Sequence, residues 1–181
     1  MAKIVTTAAL LVLLFSSSCG DDEGHRLFEI QYPVIEFFIP AGQTRVRTFV
    51  IPQASLRTRF MEEMSAAGVT ADQVDLVGGL RARVTSLTGD DFGEFERVEL
   101  RVCPVGQEFG CNSFDLMFSV NDLFRRRQLS VNLNPGLRNF RELFLGDERV
   151  RVELIFTAGD ISFTALEARL EWSIQAVGGL D

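Results

Sequence analysis

The sequence predicts a mainly all-β protein: an antiparallel β-sandwich, immunoglobulin-like in architecture, with about eight strands and two short helices. Three observations support this prediction. Apolar and polar residues alternate with a period of two over several segments, clusters of Gly, Pro, Asn and Asp separate these segments, and helical spacing occurs in only two places. Strands that are apolar on one side and charged on the other are typical of sandwiches with solvated outer faces.

The alternation is clearest in two segments near the C-terminus, residues 150–156 and 168–176. Apolar residues such as Val152 and Leu154 oppose charged residues such as Arg151 in the first segment, and the second repeats the pattern. The short turn Ala158-Gly159-Asp160 between them predicts a β-hairpin. In a third segment Phe95 is out of phase with the residues at 98–102, which predicts a bulge or a strand start near Glu96.

Five further segments are weaker strand candidates because their alternation is less regular. Turn residues separate them, notably Pro40-Ala41-Gly42 and Asn134-Pro135-Gly136. These candidate strands are residues 27–39, 44–51, 74–87, 113–120 and 129–133.

Two stretches have the spacing of amphipathic helices. After Pro52, Ser55 is a suitable N-cap for a helix over about residues 55–67, which Gly68 ends. A shorter helix is predicted over about residues 137–145. We expect each helix to cover an open end of the sandwich. One alternative is a lid over a pocket for an apolar ligand, lined by Phe60, Met61 and Met64. Another is an amphipathic stripe that binds a partner.

The N-terminal residues have the layout of an export signal. Lys3 precedes an apolar run from Ile4 to Phe15, and three serines then lead to Cys19. A run of about a dozen apolar residues is too short for a membrane-spanning helix, which needs about 20. The predicted organisation is therefore a removed signal peptide (1–18), a tether (19–26) and one β domain (27–181).

The small residues before Cys19 and the acidic residues after it resemble the processing site of bacterial lipoproteins. The acidic run Asp21-Asp22-Glu23 between two glycines is similar to the export tag of small outer-membrane lipoproteins in Bacteroidota-type bacteria. This resemblance implies that Cys19 is lipidated and anchors the protein in the cell envelope, on the surface or the periplasmic face of the outer membrane. An ordinary secretory signal, cleaved near Ser18, is the alternative.

Charge and cysteine content limit the function further. Lys3 is the only lysine, so the exported chain carries arginines alone against 25 Asp and Glu residues, a poor composition for binding nucleic acid. Cys103 and Cys111 are the pair that remains after Cys19, and an even pair in an exported protein predicts a disulfide.

The residues needed for most catalytic sites are missing from the sequence. His25 is the only histidine and lies in the tether, so a nucleophilic triad or a zinc site has no suitable residues in the β domain. Asp90, Asp91, Glu94 and Glu96 form a weak calcium candidate, with an exposed acidic turn as the alternative. We expect no catalytic residues and no cofactor.

The expected function is therefore that of a non-catalytic interaction or structural module of the envelope. Its expected partners are the membrane, through the lipid anchor, and another envelope protein. The alternative function is a carrier of an apolar or lipid-like ligand, held beneath the first predicted helix.

Overall fold

A computed structural model describes residues 24–44, 48–162 and 164–179. Within these ranges the chain forms nine strands, two α-helices and two 3-10 helices, at Ala71–Gln73 and Ser113–Asp115. The helices are α1 (Phe60–Ala66) and α2 (Arg141–Gly146). The strands are β1 (His25–Gln31), β2 (Ile35–Ile39), β3 (Thr48–Arg57), β4 (Leu76–Ser86), β5 (Phe95–Pro104), β6 (Leu116–Val120), β7 (Ser130–Pro135), β8 (Arg149–Ala158) and β9 (Leu166–Gly178).

All the strands pair antiparallel in one continuous, curled sheet. The strand order is β1-β9-β4-β7-β6-β5-β8-β3, and β2 also pairs with β9. The two halves of the sheet meet at β6 and β7, where only Phe118 with Pro135 and Ser119 with Asn134 are paired. The prediction of a mainly antiparallel β protein is confirmed.

Apolar side chains from both halves of the sheet meet in one core. The ring of Phe156 on β8 lies 5.7 Å from that of Phe37 on β2, which belongs to the other half. The same ring packs edge-on against Phe95, at 5.2 Å between centroids, and stacks near Phe92. The apolar residues of the alternating segments in β8 and β9 are buried here, as their period of two predicted.

The predicted hairpin between β8 and β9 is wrong. β8 lies between β3 and β5, and β9 lies between β1 or β2 on one side and β4 on the other. Both edges of each strand are therefore occupied by other partners. The connection that contains Gly159 and Asp160 crosses from one half of the sheet to the other.

The first predicted helix begins later than expected, and Ser55 does not cap it. Ser55 lies in β3, where the following residues Leu56 and Arg57 pair with Val150 and Arg149 of β8. The chain turns at Arg59, which has a positive φ of 56°, and α1 starts at Phe60. The pairing of β3 with β8 therefore outweighs the helical spacing of these residues.

The second predicted helix also begins later, at Arg141 instead of about residue 137. Residues just before it use their backbone groups elsewhere: Gly136 N donates to Met117 O and Phe140 N to Val77 O, both at 2.8 Å.

The candidate strand 27–39 is two strands in the structure, β1 and β2, which both pair with β9. The bulge predicted near Glu96 is confirmed by a shift in the β5–β8 register between Phe95 and Arg97.

Tyr32 joins the segment between β1 and β2 to the core. Its ring stacks on Trp172 of β9 with centroids 4.1 Å apart, and its hydroxyl donates a hydrogen bond to Thr58 O at 3.0 Å. Burial raises the pKa of the Tyr32 hydroxyl well above its ordinary value, and Arg59 opposes this shift only in part.

We expect the stability of the protein to fall above about pH 10, the pKa of tyrosine in an unfolded chain. Below that pH, neutral Tyr32 makes its full contribution to the stability of the folded protein. That contribution is lost as the pH rises towards the higher pKa of Tyr32 in the folded state. Tyr32 is the only tyrosine, so phenolate absorbance follows it alone. Absorbance should rise only together with unfolding, and Tyr32→Phe should show a weaker loss of stability at high pH. A phenolate signal from the folded protein near pH 10 would contradict this.

Gly79 on β4 allows the close approach of Phe118 on β6. A Cβ atom at Gly79 would overlap the Phe118 ring, whereas one at Gly78 would lie 3.3 Å from the flexible end of Leu76. We expect Gly79→Ala to lower the free energy of unfolding by about 1–3 kcal/mol through overpacking. Gly78→Ala, the matched control, should change it by less than about 1 kcal/mol. Urea unfolding of both variants measures the difference, and equal effects would show that Phe118 moves aside freely.

Candidate interaction surface

A disulfide closes the loop after β5. Cys103, the next-to-last residue of β5, is bonded to Cys111, and their Cα atoms are 5.4 Å apart. This confirms the pairing predicted from the cysteine content. Residues 103–111 are called the disulfide loop below.

A buried carboxylate on the neighbouring strand holds the end of the disulfide loop. Glu153 of β8 accepts a hydrogen bond from Cys111 N at 3.1 Å through one oxygen and from Arg151 Nε at 2.6 Å through the other. A carboxylate is buried without large loss of stability only when it is paired in this way. The loop backbone therefore depends on Glu153, and Glu153 depends on Arg151.

A second charged group holds the carbonyl of the same cysteine. Arg101 of β5 donates to Cys111 O at 3.3 Å and to Glu99 at 3.0 Å. Glu99 is also buried, and it forms a further ion pair with Arg97 at 3.3 Å. Both backbone groups of Cys111 are thus bound by charged side chains on the outer face of β5 and β8.

A third buried carboxylate fixes the turn that follows the disulfide. Asp115 accepts a hydrogen bond from Asn112 N at 2.8 Å and forms an ion pair with Arg138. Arg138 also donates to Phe114 O at 2.8 Å, and its guanidinium lies over the Phe140 ring at 4.9 Å. The turn at residues 113–115 is therefore tied to the segment that leads into α2.

Four apolar side chains project outward from these ordered segments. Phe109 is 94 % exposed and Phe114 82 %, and Leu137 is fully exposed; Val105 is about half-exposed. The first three are the most exposed large apolar side chains among the residues that the structure describes. These four residues are called the apolar loop surface below.

The residues proposed for an apolar pocket are mostly part of the core. The Phe60 ring is fully buried, at 5.1 Å from the ring of Phe28 and 5.7 Å from that of Phe144. Met64 is buried beside it, and Met61 is half-exposed. The depression next to them has a volume of about 130 Å³ and is lined largely by charged residues of the 57–62 segment. Phe60 thus fills the space that the carrier hypothesis requires.

A larger open groove lies elsewhere, across β4, β7 and β9. Its volume is about 480 Å³. Charged and amide side chains dominate its lining, so it does not match an apolar ligand. The lining residues are Gln31, Leu80, Arg81, Ala82, Arg83, Asn132, Leu133, Glu171 and Trp172.

The acidic residues proposed for calcium do not converge in the described part of the chain. Asp91 accepts a hydrogen bond from Gly93 N at 2.8 Å, and Glu94 lies 3.4 Å from the Thr164 hydroxyl. Among residues 24–44, 48–162 and 164–179, the one group of three potential metal ligands is Cys103, Cys111 and Asp115. The two sulfurs of that group are bonded to each other and are not thiolates. Cys19 lies outside the described residues.

The sequence analysis missed the three buried carboxylates and the exposure of Phe109 and Phe114. One sequence feature indicates the exposure of Phe109: a short disulfide loop has too few residues to bury a phenylalanine within itself. Phe114 lies outside that loop. The burial of Glu153 has no such local indication, because it depends on a loop that is distant along the chain.

Comparison with known proteins gives no family for this chain. No protein-family model matches it, and no curated protein matches it significantly. Within the described residues, none of the helices has the length and apolar character needed to cross a membrane.

We expect Glu153→Ala to lower the free energy of unfolding by about 3 kcal/mol, because it leaves Arg151 and Cys111 N without their shared partner. The matched control is Glu142→Ala. Glu142 also pairs with an arginine, Arg141, but its side chain is 91 % exposed, so the change should be below about 0.5 kcal/mol. Urea unfolding at neutral pH measures both. Similar values for the two variants would show that Glu153 does not hold the disulfide loop.

Proposed function

We propose that this chain is a lipid-anchored protein of the cell envelope, attached through Cys19, whose β domain is a non-catalytic interaction or structural module. The observation that carries the proposal is the apolar loop surface. Phe109 and Phe114 are exposed to solvent on segments that buried ion pairs hold in place. Ordered, exposed aromatic side chains are typical of sites that contact another surface.

The state of the buried carboxylates favours a structural role over catalysis. In the described part of the chain Glu99, Asp115 and Glu153 are each paired with an arginine, and Asp115 and Glu153 also bind backbone N–H groups. A general base needs a carboxylate that can reach a substrate. These carboxylates instead support the loops that carry the apolar side chains.

The packing beneath α1 favours a binding surface over a carrier. A ligand pocket for a lipid-like molecule is a cleft of several hundred Å³ lined by apolar side chains. Phe60 and Met64 fill this region, and the nearby depression of about 130 Å³ is too small and too polar.

The proposed location follows from the N-terminal sequence. The apolar run, the three serines before Cys19 and the acidic residues after it support export and acylation, with the outer membrane as the destination. Such an anchor places the β domain beside a bilayer, on its surface or periplasmic face.

Metabolic labelling with palmitate tests the anchor. The wild-type chain should incorporate label, and Cys19→Ala should lose it, because the thiol that accepts the acyl chain is gone. A Cys103→Ser and Cys111→Ser double variant is the matched control and should keep the label. Equal labelling of the wild type and Cys19→Ala, or none of either, would rule out lipidation at this position.

A further inference from the structure

The apolar loop surface lies at the end of the sheet where the N-terminal tether joins it. β1 begins at His25, which pairs with Gly178 at the end of β9. Following the antiparallel register from strand to strand places the start of β4, the end of β5 and the starts of β6 and β8 at this same end. Leu137 follows β7, which also runs towards this end.

A chain of hydrogen bonds leads from the start of β1 to the backbone of Phe114. Asp75 N donates to Val177 O at 2.9 Å, beside the start of β1, and Asn139 Nδ2 donates to Asp75 O at 2.8 Å. Arg138, the neighbour of Asn139, binds Phe114 O at 2.8 Å. The segment that carries Phe114 is therefore linked, through Arg138, Asn139 and Asp75, to the end of β9 that pairs with the start of β1.

The tether limits how far this surface can lie from an anchored Cys19. The predicted tether of residues 19–26 is too long, because β1 already begins at His25. Five residues, Gly20 to Gly24, therefore separate Cys19 from His25. Even a fully extended chain spans at most about 3.3–3.6 Å per residue, so the start of β1 lies within about 20 Å of the acylated cysteine. With Cys19 acylated, the end of the sheet that carries Phe109, Phe114 and Leu137 is thus the end tethered to the bilayer.

We infer that the apolar loop surface inserts into the interface of the bilayer that holds the lipid anchor, and so forms a second attachment to the membrane. This inference rests on the proposed lipidation of Cys19. The free energy falls when exposed phenylalanine and leucine side chains leave water, so insertion of this surface adds to the binding that the lipid anchor supplies. The loops are already fixed by Glu153, Arg101 and Asp115, so their insertion requires little further ordering.

The bilayer fits this surface better than a second copy or a partner protein does. The short tether brings the surface to the lipid whether or not any other protein is present. The exposed side chains belong to separate loops, which suits insertion among lipid molecules, and the neighbouring charges are of both signs. We therefore expect binding that does not require anionic lipid.

Tryptophan fluorescence of the full, acylated chain in phosphatidylcholine vesicles tests the inference. Phe109→Trp and Phe114→Trp place a fluorophore at positions that have no packing to disturb. Phe38→Trp is the matched control: Phe38 is 54 % exposed, but it pairs with Glu167 near the start of β9, at the opposite end of the sheet. The native Trp172 is buried and gives a constant background, measured with the wild type. Vesicles whose lipids carry bromine on the acyl chains quench only fluorophores that enter the bilayer.

The inference predicts a blue shift and a loss of emission for Phe109→Trp and Phe114→Trp in brominated vesicles, and neither effect for Phe38→Trp. Palmitate label on the same samples separates the two hypotheses. Palmitate label without quenching at residues 109 and 114 contradicts the insertion but agrees with the lipid anchor. Equal quenching at residue 38 has the same meaning. A blue shift without quenching means that a second copy or a partner protein covers the surface, which also overturns it. Absence of label overturns the anchor and the insertion together.

Discussion

Packing of aromatic side chains across the interior is the interaction on which this fold depends. Among the described residues, strands of the two halves of the sheet pair with each other only at β6 and β7, through two residue pairs. The curl that brings β2 to face β8 is therefore maintained by side chains, with Phe156 in contact with Phe37, Phe92 and Phe95. Buried phenylalanines supply much of the apolar volume that this curl encloses; in the described part of the chain they are Phe60, Phe92, Phe95, Phe118, Phe140, Phe144 and Phe156.

Much of the secondary structure could be predicted from the sequence because each strand buries one side. The period of two in β8 and β9 follows from that burial, and the register shift at Phe95 appears as a break in the same pattern. The errors concern what each strand pairs with. Ser55 and Leu56 have helical spacing, but pairing with β8 extends β3 through them. The hairpin prediction failed because sequence proximity does not reveal that other strands already occupy both edges of β8 and β9.

The candidate site could be predicted only in part, for a related reason. Cysteine content was sufficient to predict the Cys103–Cys111 disulfide, because few residues compete for that role. The hydrogen bond from Cys111 N to Glu153 and the ion pair of Asp115 with Arg138 join segments that are far apart in sequence. Phenylalanine at position 109 or 114 is expected in the core by composition alone, yet both side chains are exposed on the segment between β5 and β6.

The position of β9 in the sheet affects how the protein can be made. β9 pairs with β1, β2 and β4, and it follows all three in the chain. Half of the sheet therefore lacks its central strand until residues 166–178 have left the ribosome, and contacts between such distant segments form slowly. During synthesis β1, β2 and β4 therefore gain their shared pairing partner only when the last strand of the chain has been made.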